Sequence, residues 1–311
     1  MKASKGKAPP EIEAVAAVTE RLAVLLAAGV PPVSAWGYLG ETASSGVVRQ
    51  VADAAARGEA VPRALAAAAA ASPPDVADAW RGLAAAWFVA TESGAPLAQS
   101  LRALAGSFRS LGQTQRDLAV ALAGPAATAR MVMALPVVGV LFGMGLGFNT
   151  LRTLFTTLPG LACLGAGALL MVAGIRWNRR MIRAATPKDR TPGLAIDLMA
   201  VAMSGGGSIE RARMLLAKAR GRFLTGTAAE SRMVDDVLRL AQRAGVPAAQ
   251  LLRSEAAARR RNARSEGQRS AASLAVRLMI PLGICVLPAF MLVGVAPLLL
   301  AIVTSTFSTL T

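Results

Sequence analysis

The sequence predicts an all-α integral membrane protein with two cytosolic helical-bundle repeats and three transmembrane helices. Apolar residues make up 54% of its 311 residues, and they are concentrated in long uncharged runs. Alanine-rich segments between these runs carry nearly all of the charge, as expected for a chain shared between lipid and water. In those segments apolar positions recur every three or four residues, which is the period of a helix, and no alternating strand pattern competes with it.

The chain divides into four predicted parts. Residues 1–127 form a first cytosolic helical bundle, and residues 128–175 form a transmembrane hairpin of two spans. Residues 176–275 form a second cytosolic bundle, and residues 276–311 form a third transmembrane helix with a short external tail. This order of bundle, two spans, bundle and span predicts that a bundle followed by a membrane helix is a repeated unit.

The three predicted spans are the uncharged runs at 131–151, 153–175 and 278–303. Each has about 20 residues or more, which is enough to cross a hydrocarbon core of ~30 Å. Proline removes a backbone donor and bends a helix, so we expect the prolines within the runs to shape these membrane helices. They are Pro136, Pro281, Pro288 and Pro297.

Glycine turns are predicted to close helical hairpins within each bundle. Glycine permits the left-handed residue that ends a helix, and proline suits the first turn of the next one. The predicted turns are Ala28-Gly29-Val30-Pro31, Ser93-Gly94-Ala95-Pro96, Gly205-Gly206-Gly207-Ser208 and Ala244-Gly245-Val246-Pro247. The segment that begins at Glu92 aligns with the segment that begins at Arg243 at a constant offset, which supports the repeat.

Apolar stripes at helical spacing predict the core of the first bundle. The stripes are Ile12, Val15, Val18, Leu22 and Leu25; Trp80, Leu83 and Trp87; and Leu97, Leu101, Leu104, Phe108 and Leu111. Ser72, three residues before Asp75, predicts a capping box at the start of the helix that contains Trp80.

The net charge of +16 has two explanations. Arginines gather after the second run and before the third, so the rule that positive flanks stay in the cytosol places residues 176–277 and the N-terminus inside and the C-terminus outside. We therefore predict a multi-pass protein of the cytoplasmic membrane that binds no nucleic acid. The alternative is a membrane protein that binds nucleic acid through Arg259 to Arg277.

The sequence lacks the sets of residues that a catalytic site within the membrane would need. It contains no histidine, and both cysteines, Cys163 and Cys285, lie in apolar runs. The predicted spans hold no Asp, Glu or Lys, so a membrane aspartyl protease would lack its paired carboxylates. We predict no enzymatic activity, no cofactor and no metal site.

Three segments resemble the type II secretion system F family, the inner-membrane platform proteins of type II secretion, type IV pili and Tad (Flp) pili. They are Leu25-Leu26-Ala27-Ala28-Gly29-Val30-Pro31, Glu92-Ser93-Gly94 with Leu97 and Leu101, and Pro281-Leu282-Gly283-Ile284-Cys285-Val286-Leu287-Pro288-Ala289-Phe290. The alanine and arginine richness is most similar to the Tad-type members. The resemblance implies a scaffold that binds a hexameric cytosolic assembly ATPase, receives pilin or pseudopilin transmembrane helices, and works as a homo-oligomer or with a second platform subunit.

Partner contact is predicted at two hairpin turns and one arginine cluster. The residues are Glu92, Gly94, Arg243, Gly245, Arg259, Arg260, Arg261 and Arg264. The alternative for Glu92 is that it caps a neighbouring helix, and the alternative for the arginines is that they hold anionic lipid headgroups. For the whole chain, the alternative function is a transporter subunit or permease, although its spans offer little polarity for a transport site.

Overall fold

The protein is described by a computed structural model over residues 11–43, 45–145, 158–185, 191–224 and 229–296, with residues 155 and 299. Across these residues the fold is all-helical and contains no strand. The helices before the first gap of several residues are α1 (Glu11–Ala27), α2 (Pro32–Thr42), α3 (Gly46–Ala56), α4 (Val61–Ala69), α5 (Pro74–Ser93) and α6 (Leu97–Gly145).

The later helices are α7 (Leu158–Ala185), α8 (Leu194–Ser204), α9 (Ile209–Phe223), α10 (Ala229–Ala244) and α11 (Ala248–Arg277). After α11 the chain continues as alternating short pieces, α-helical at Met279–Pro281 and Leu287–Phe290 and π-helical at Leu282–Val286 and Met291–Val295. The predicted repeat is visible in these bounds, because α10 ends and α11 begins at the same offset from the end of α5 and the start of α6.

The glycine turns close their helices as the sequence predicts. Gly29, Gly94, Gly206 and Gly245 have φ values of 84°, 73°, 77° and 63°, in the left-handed region that only glycine adopts freely. After α1, the Val30 N–H donates to the Leu25 carbonyl at 3.0 Å. This bond satisfies one of the carbonyls that a helix end leaves without a partner.

The predicted apolar stripes are confirmed as core. Trp80, Leu83 and Trp87 are buried on α5, and the stripes on α1 and α6 are buried or partly buried. The capping box is wrong, because α5 begins at Pro74 with Pro73 as its N-cap and no side-chain cap. Two consecutive prolines without N–H groups suit the start of a helix better than the serine before them.

The chain forms two compact units. Unit 1 comprises Met1–Arg116 and Lys188–Ser265, and unit 2 comprises Asp117–Pro187 and Glu266–Thr311. Unit 1 has one contiguous hydrophobic core whose largest buried side chains come from both of its stretches. The helices predicted as two bundles therefore share a single core.

Helix α5 lies at the centre of unit 1. It packs against α1 and α4 and also against α8 and α9. A Cβ added to Gly82 of α5 would lie 3.0 Å from Leu194 Cδ2, and the rings of Phe88 and Phe223 are 5.7 Å apart. Two helix ends also approach each other closely, since a Cβ on Gly205 would lie 2.1 Å from the Ser93 carbonyl oxygen.

In unit 2, α7 packs closely against the irregular segment 279–295. A Cβ added to Gly167 would lie 2.2 Å from Val293 Cγ2, and one added to Gly174 would lie 3.1 Å from the Cβ of Cys285. Glycines let helix backbones approach closely, which is the usual packing device of membrane helices.

Two described helices are long and apolar enough to cross a membrane, Leu158–Met181 and Ala248–Val295. The first predicted span, 131–151, is helical as far as Gly145 and then continues outside the described residues.

The prolines predicted to shape the spans lie in both regular and irregular helix. Pro136 lies within α6, Pro281 ends a short α-helical piece, and Pro288 is the second residue of another. Pro297 lies outside the described residues.

Candidate partner-binding site

Glu92 lies at the C-terminal end of α5, next to the Gly94 turn. The glutamate is exposed, and its carboxylate forms no ion pair with the described residues. A carboxylate is disfavoured at this end of a helix, where the dipole prefers a cation. The carbonyl of Glu92 does accept a hydrogen bond from Arg211 Nη2 at 3.4 Å. The positive partner expected at this helix end is therefore present within unit 1, while the carboxylate stays open to solvent.

Arg211 reaches this position because its own helix begins at the neighbouring turn. Ser208 caps α9, accepting a hydrogen bond from the Arg211 backbone N–H at 3.2 Å. The same turn contains Gly205, whose lack of a side chain permits the contact with Ser93. The Gly94 turn of the first repeat thus packs on the Gly205 turn of the second. This packing brings Glu92 and Gly94 close to Arg211 and Gly205, which are not among the predicted site residues.

The counterpart turn in the second repeat is also exposed. Arg243 lies in the last turn of α10, where a cation suits the helix dipole, and Gly245 has a φ of 63°. No ion pair of Arg243 with another described residue is present. The two turns have equivalent positions in the repeat but opposite charges.

The predicted arginine cluster on α11 separates into different environments. Arg261 and Arg264 are exposed and Arg259 is partly buried. Arg260 forms an ion pair with Asp197 of α8 at 2.6 Å, and only 13% and 16% of their side chains are exposed. Arg260 is thus occupied within unit 1, and Arg261 and Arg264 are the members that face solvent.

Ser107 of α6 completes the buried pair. Its hydroxyl donates to Oδ2 of Asp197 at 2.9 Å, so three helices meet at one carboxylate. Burial raises the pKa of Asp197 above its usual range, and the attraction of Arg260 and the two hydrogen bonds offset part of that rise. The sequence does contain a signal for this group, because Asp197 is the only charged residue in an otherwise apolar helix.

A comparison with protein families matches residues 18–145 to the family described as Type II secretion system (T2SS), protein F. Residues 18–145 are a type II secretion system protein F domain. The protein F domain begins in α1, includes the turns at Gly29 and Gly94, and ends with α6. This confirms the predicted family over these residues, and the resembling segment at 281–290 lies beyond the match. No curated protein matches the chain.

The protein F domain indicates a coarse function. Proteins of this family are non-enzymatic platform proteins of type II secretion and type IV pilus-like machinery, so the prediction that the chain is not an enzyme is confirmed. The family of this domain associates with that machinery, such as its ATPase and its pilins. Together with the two long apolar helices, it indicates the inner membrane.

Proposed function

We propose that this chain is the inner-membrane platform of a Tad (Flp) or type IV-like pilus or of a type II secretion machine. In this role it couples a hexameric cytosolic assembly ATPase to the extraction and polymerisation of pilins. The observation that carries the proposal is the protein F domain at residues 18–145. The alanine and arginine richness of the sequence favours the Tad type. A transporter or permease gains no support from a protein F domain.

The proposed contact with the ATPase includes the Gly94 turn. Glu92 supports this assignment, because its carboxylate is exposed without an ion pair among the described residues while the helix end beside it already has its cation in Arg211. The helix dipole disfavours a negative charge at this position, and the described part of the fold does not pair the charge. The carboxylate is therefore available to an external partner. A basic surface on the ATPase would complement it.

The proposed topology follows the arginine asymmetry of the sequence. The N-terminus and unit 1 face the cytosol, and the C-terminus is external. Pilin helices then meet the platform within the membrane, beside the spans of unit 2. The platform works as a homo-oligomer or with a second platform subunit.

Charge changes at Glu92 test the ATPase contact. Glu92→Gln removes the charge with little change of shape, and Glu92→Arg reverses it beside Arg211. Glu41→Arg is a matched control, because Glu41 is exposed and is also the second-last residue of its helix, α2. We expect both Glu92 variants to reach normal abundance in the membrane. Less ATPase should co-purify with them than with the wild type, and pilus assembly or secretion should be abolished. The control should behave as the wild type.

Two outcomes would count against this assignment. A fall in membrane abundance for Glu92→Gln would make Glu92 a structural residue, and normal assembly with Glu92→Arg would remove it from the contact. Abundance and ATPase recovery are measured in parallel. The two outcomes can therefore be distinguished whichever appendage the platform serves.

A further inference from the structure

Three arginines follow the apolar part of α7 within a single helical turn. The uncharged stretch from Leu158 to Ile175 has 18 residues, which at 1.5 Å per residue is about 27 Å of helix. This length approaches the ~30 Å of a hydrocarbon core, so the turn at Arg176, Arg179 and Arg180 comes at the depth of the lipid headgroups.

This turn has a packed face and an open face. Gly174 and Asn178 are buried, and Gly174 lies against Cys285. Arg176, Arg179 and Arg180 are exposed, and residues three and four apart on a helix are neighbours. The three guanidinium groups therefore lie on the side of α7 that the segment 279–295 leaves open.

A cavity lies beside the open face. Among described residues, a cavity of about 760 Å³ is lined by Arg176, Trp177, Arg179 and Arg180. Trp177 is 42% exposed, and tryptophan is enriched at the membrane interface. Helix α7 contains no Asp or Glu, and no ion pair joins these arginines to other described residues. The cavity therefore contains three cations whose charge the described part of the chain does not neutralise.

We propose that this cavity binds the phosphate headgroup of an anionic phospholipid. The planar guanidinium group donates two parallel hydrogen bonds to phosphate oxygens, and three such groups lining one cavity offer a phosphodiester several such donors. Basic pockets beside membrane helices on the cytosolic side bind lipid headgroups of this kind. The site is distinct from the Glu92 surface and needs no protein partner.

The test measures retained lipid on the full-length protein. The protein is reconstituted in phosphatidylcholine vesicles containing a minority of phosphatidylglycerol and then re-extracted in mild detergent. Mass spectrometry counts both lipids per protein. The variants replace Arg176, Arg179 and Arg180 together, once by Gln and once by Lys. The control replaces three exposed arginines of unit 1, Arg49, Arg63 and Arg102, by Gln.

We expect the wild type and the control to retain phosphatidylglycerol selectively. Each lost arginine should weaken binding roughly fivefold, so the triple Gln variant should bind roughly a hundredfold more weakly. The triple Lys variant should fall between these limits, because it keeps the charge but loses the planar fork. Inorganic phosphate added at the same concentration as the lipid should not displace phosphatidylglycerol.

Three results would overturn the proposal. The first is that the triple Gln variant retains as much phosphatidylglycerol as the wild type. The second is full retention by the triple Lys variant, which would show that diffuse charge is sufficient, and the third is displacement of the lipid by inorganic phosphate. If the triple Gln variant fails to insert in the membrane, the Lys variant and the single change Arg176→Gln provide the same comparison.

Discussion

At the scale of residues, adjacent arginines on α11 have different roles. Arg260 is paired with Asp197 inside unit 1, whereas its neighbour Arg261 is exposed. One helical step of 100° separates a residue that holds helices together from one that is free to meet a partner.

The first prediction compares these neighbours. Arg260→Gln leaves the Asp197 carboxylate in a mostly buried site without its cation, and we expect it to cost about 3–5 kcal/mol of stability. Arg261→Gln, the control with the same chemical change, should be nearly neutral. Thermal unfolding of both proteins in detergent measures the difference. Equal melting temperatures would mean that the buried pair adds nothing to stability.

The arginine cluster on α11 can be predicted from the sequence, but its division into a buried, paired residue and exposed residues cannot. The prediction groups Arg259, Arg260, Arg261 and Arg264 because they are close in the chain, and their number alone predicts a basic surface. The partner of Arg260 is 63 residues away, and the serine that completes the group is on a third helix. Such a contact depends on which helices are neighbours, and periodicity does not specify that.

At the scale of elements, the turns at Gly94 and Gly205 lie close together in unit 1. The second prediction is that Gly205→Ala destabilises unit 1, because the new Cβ would lie 2.1 Å from the Ser93 carbonyl oxygen and the turns must separate. Overpacking of this kind costs typically 1–3 kcal/mol. Gly207→Ala is the control, since its Cβ would meet only the Arg211 side chain at 3.5 Å. Limited proteolysis of membrane-embedded protein should cleave the first variant faster, and equal cleavage would contradict the close contact.

The third prediction concerns the packing of α7 in unit 2. Gly167→Ala would place a Cβ 2.2 Å from Val293 Cγ2, and valine is too stiff to turn away. We expect lower yield in the membrane and a lower melting temperature in detergent. Gly165→Ala, on the same helix with nothing within 4 Å of its added Cβ, should behave as the wild type. A normal yield for Gly167→Ala would show that the segment 279–295 is not held against α7 at this point.

Individual elements are the part of the fold that the sequence predicts best. Turn residues and apolar stripes are local signals, so the helix ends at Gly29, Gly94 and Gly245 and the buried faces of α1, α5 and α6 could be read from the chain. The start of α5 could not be read in this way, because a serine N-cap and a proline in the first turn are alternative helix starts only two residues apart.

At the scale of the whole molecule, the fourth prediction is the topology. A reporter that is active only in the cytosol should give signal when fused at Arg190 and none when fused at Thr311, because the flanking arginines predict that the segment 176–277 is inside. Signal at Thr311 with none at Arg190 would reverse the proposed orientation. A fusion at Gln113 serves as the control, since Gln113 lies within the first predicted bundle and before any membrane run.

The shared core of unit 1 is the feature of the fold that the sequence predicts least well. Periodicity marks one face of α5 as buried, yet it does not show that α8 and α9 cover the rest of that helix. The repeat in sequence suggested two similar bundles in series. In the structure, helices from both repeats pack around α5, which is possible because its small and aromatic side chains accept neighbours on several sides.

This sharing has a consequence for the order of events during synthesis. The stretch of unit 1 that ends at Arg116 is separated from Lys188 by some seventy residues, which a ribosome adds in several seconds at ~5–20 residues per second. The surfaces of Gly82, Phe88 and Ser93 have no cover until Leu194, Phe223 and Gly205 emerge. The intervening segment is thus synthesised before the core of unit 1 can be completed, and a nascent chain that is delayed at this stage would expose that surface to chaperones and proteases.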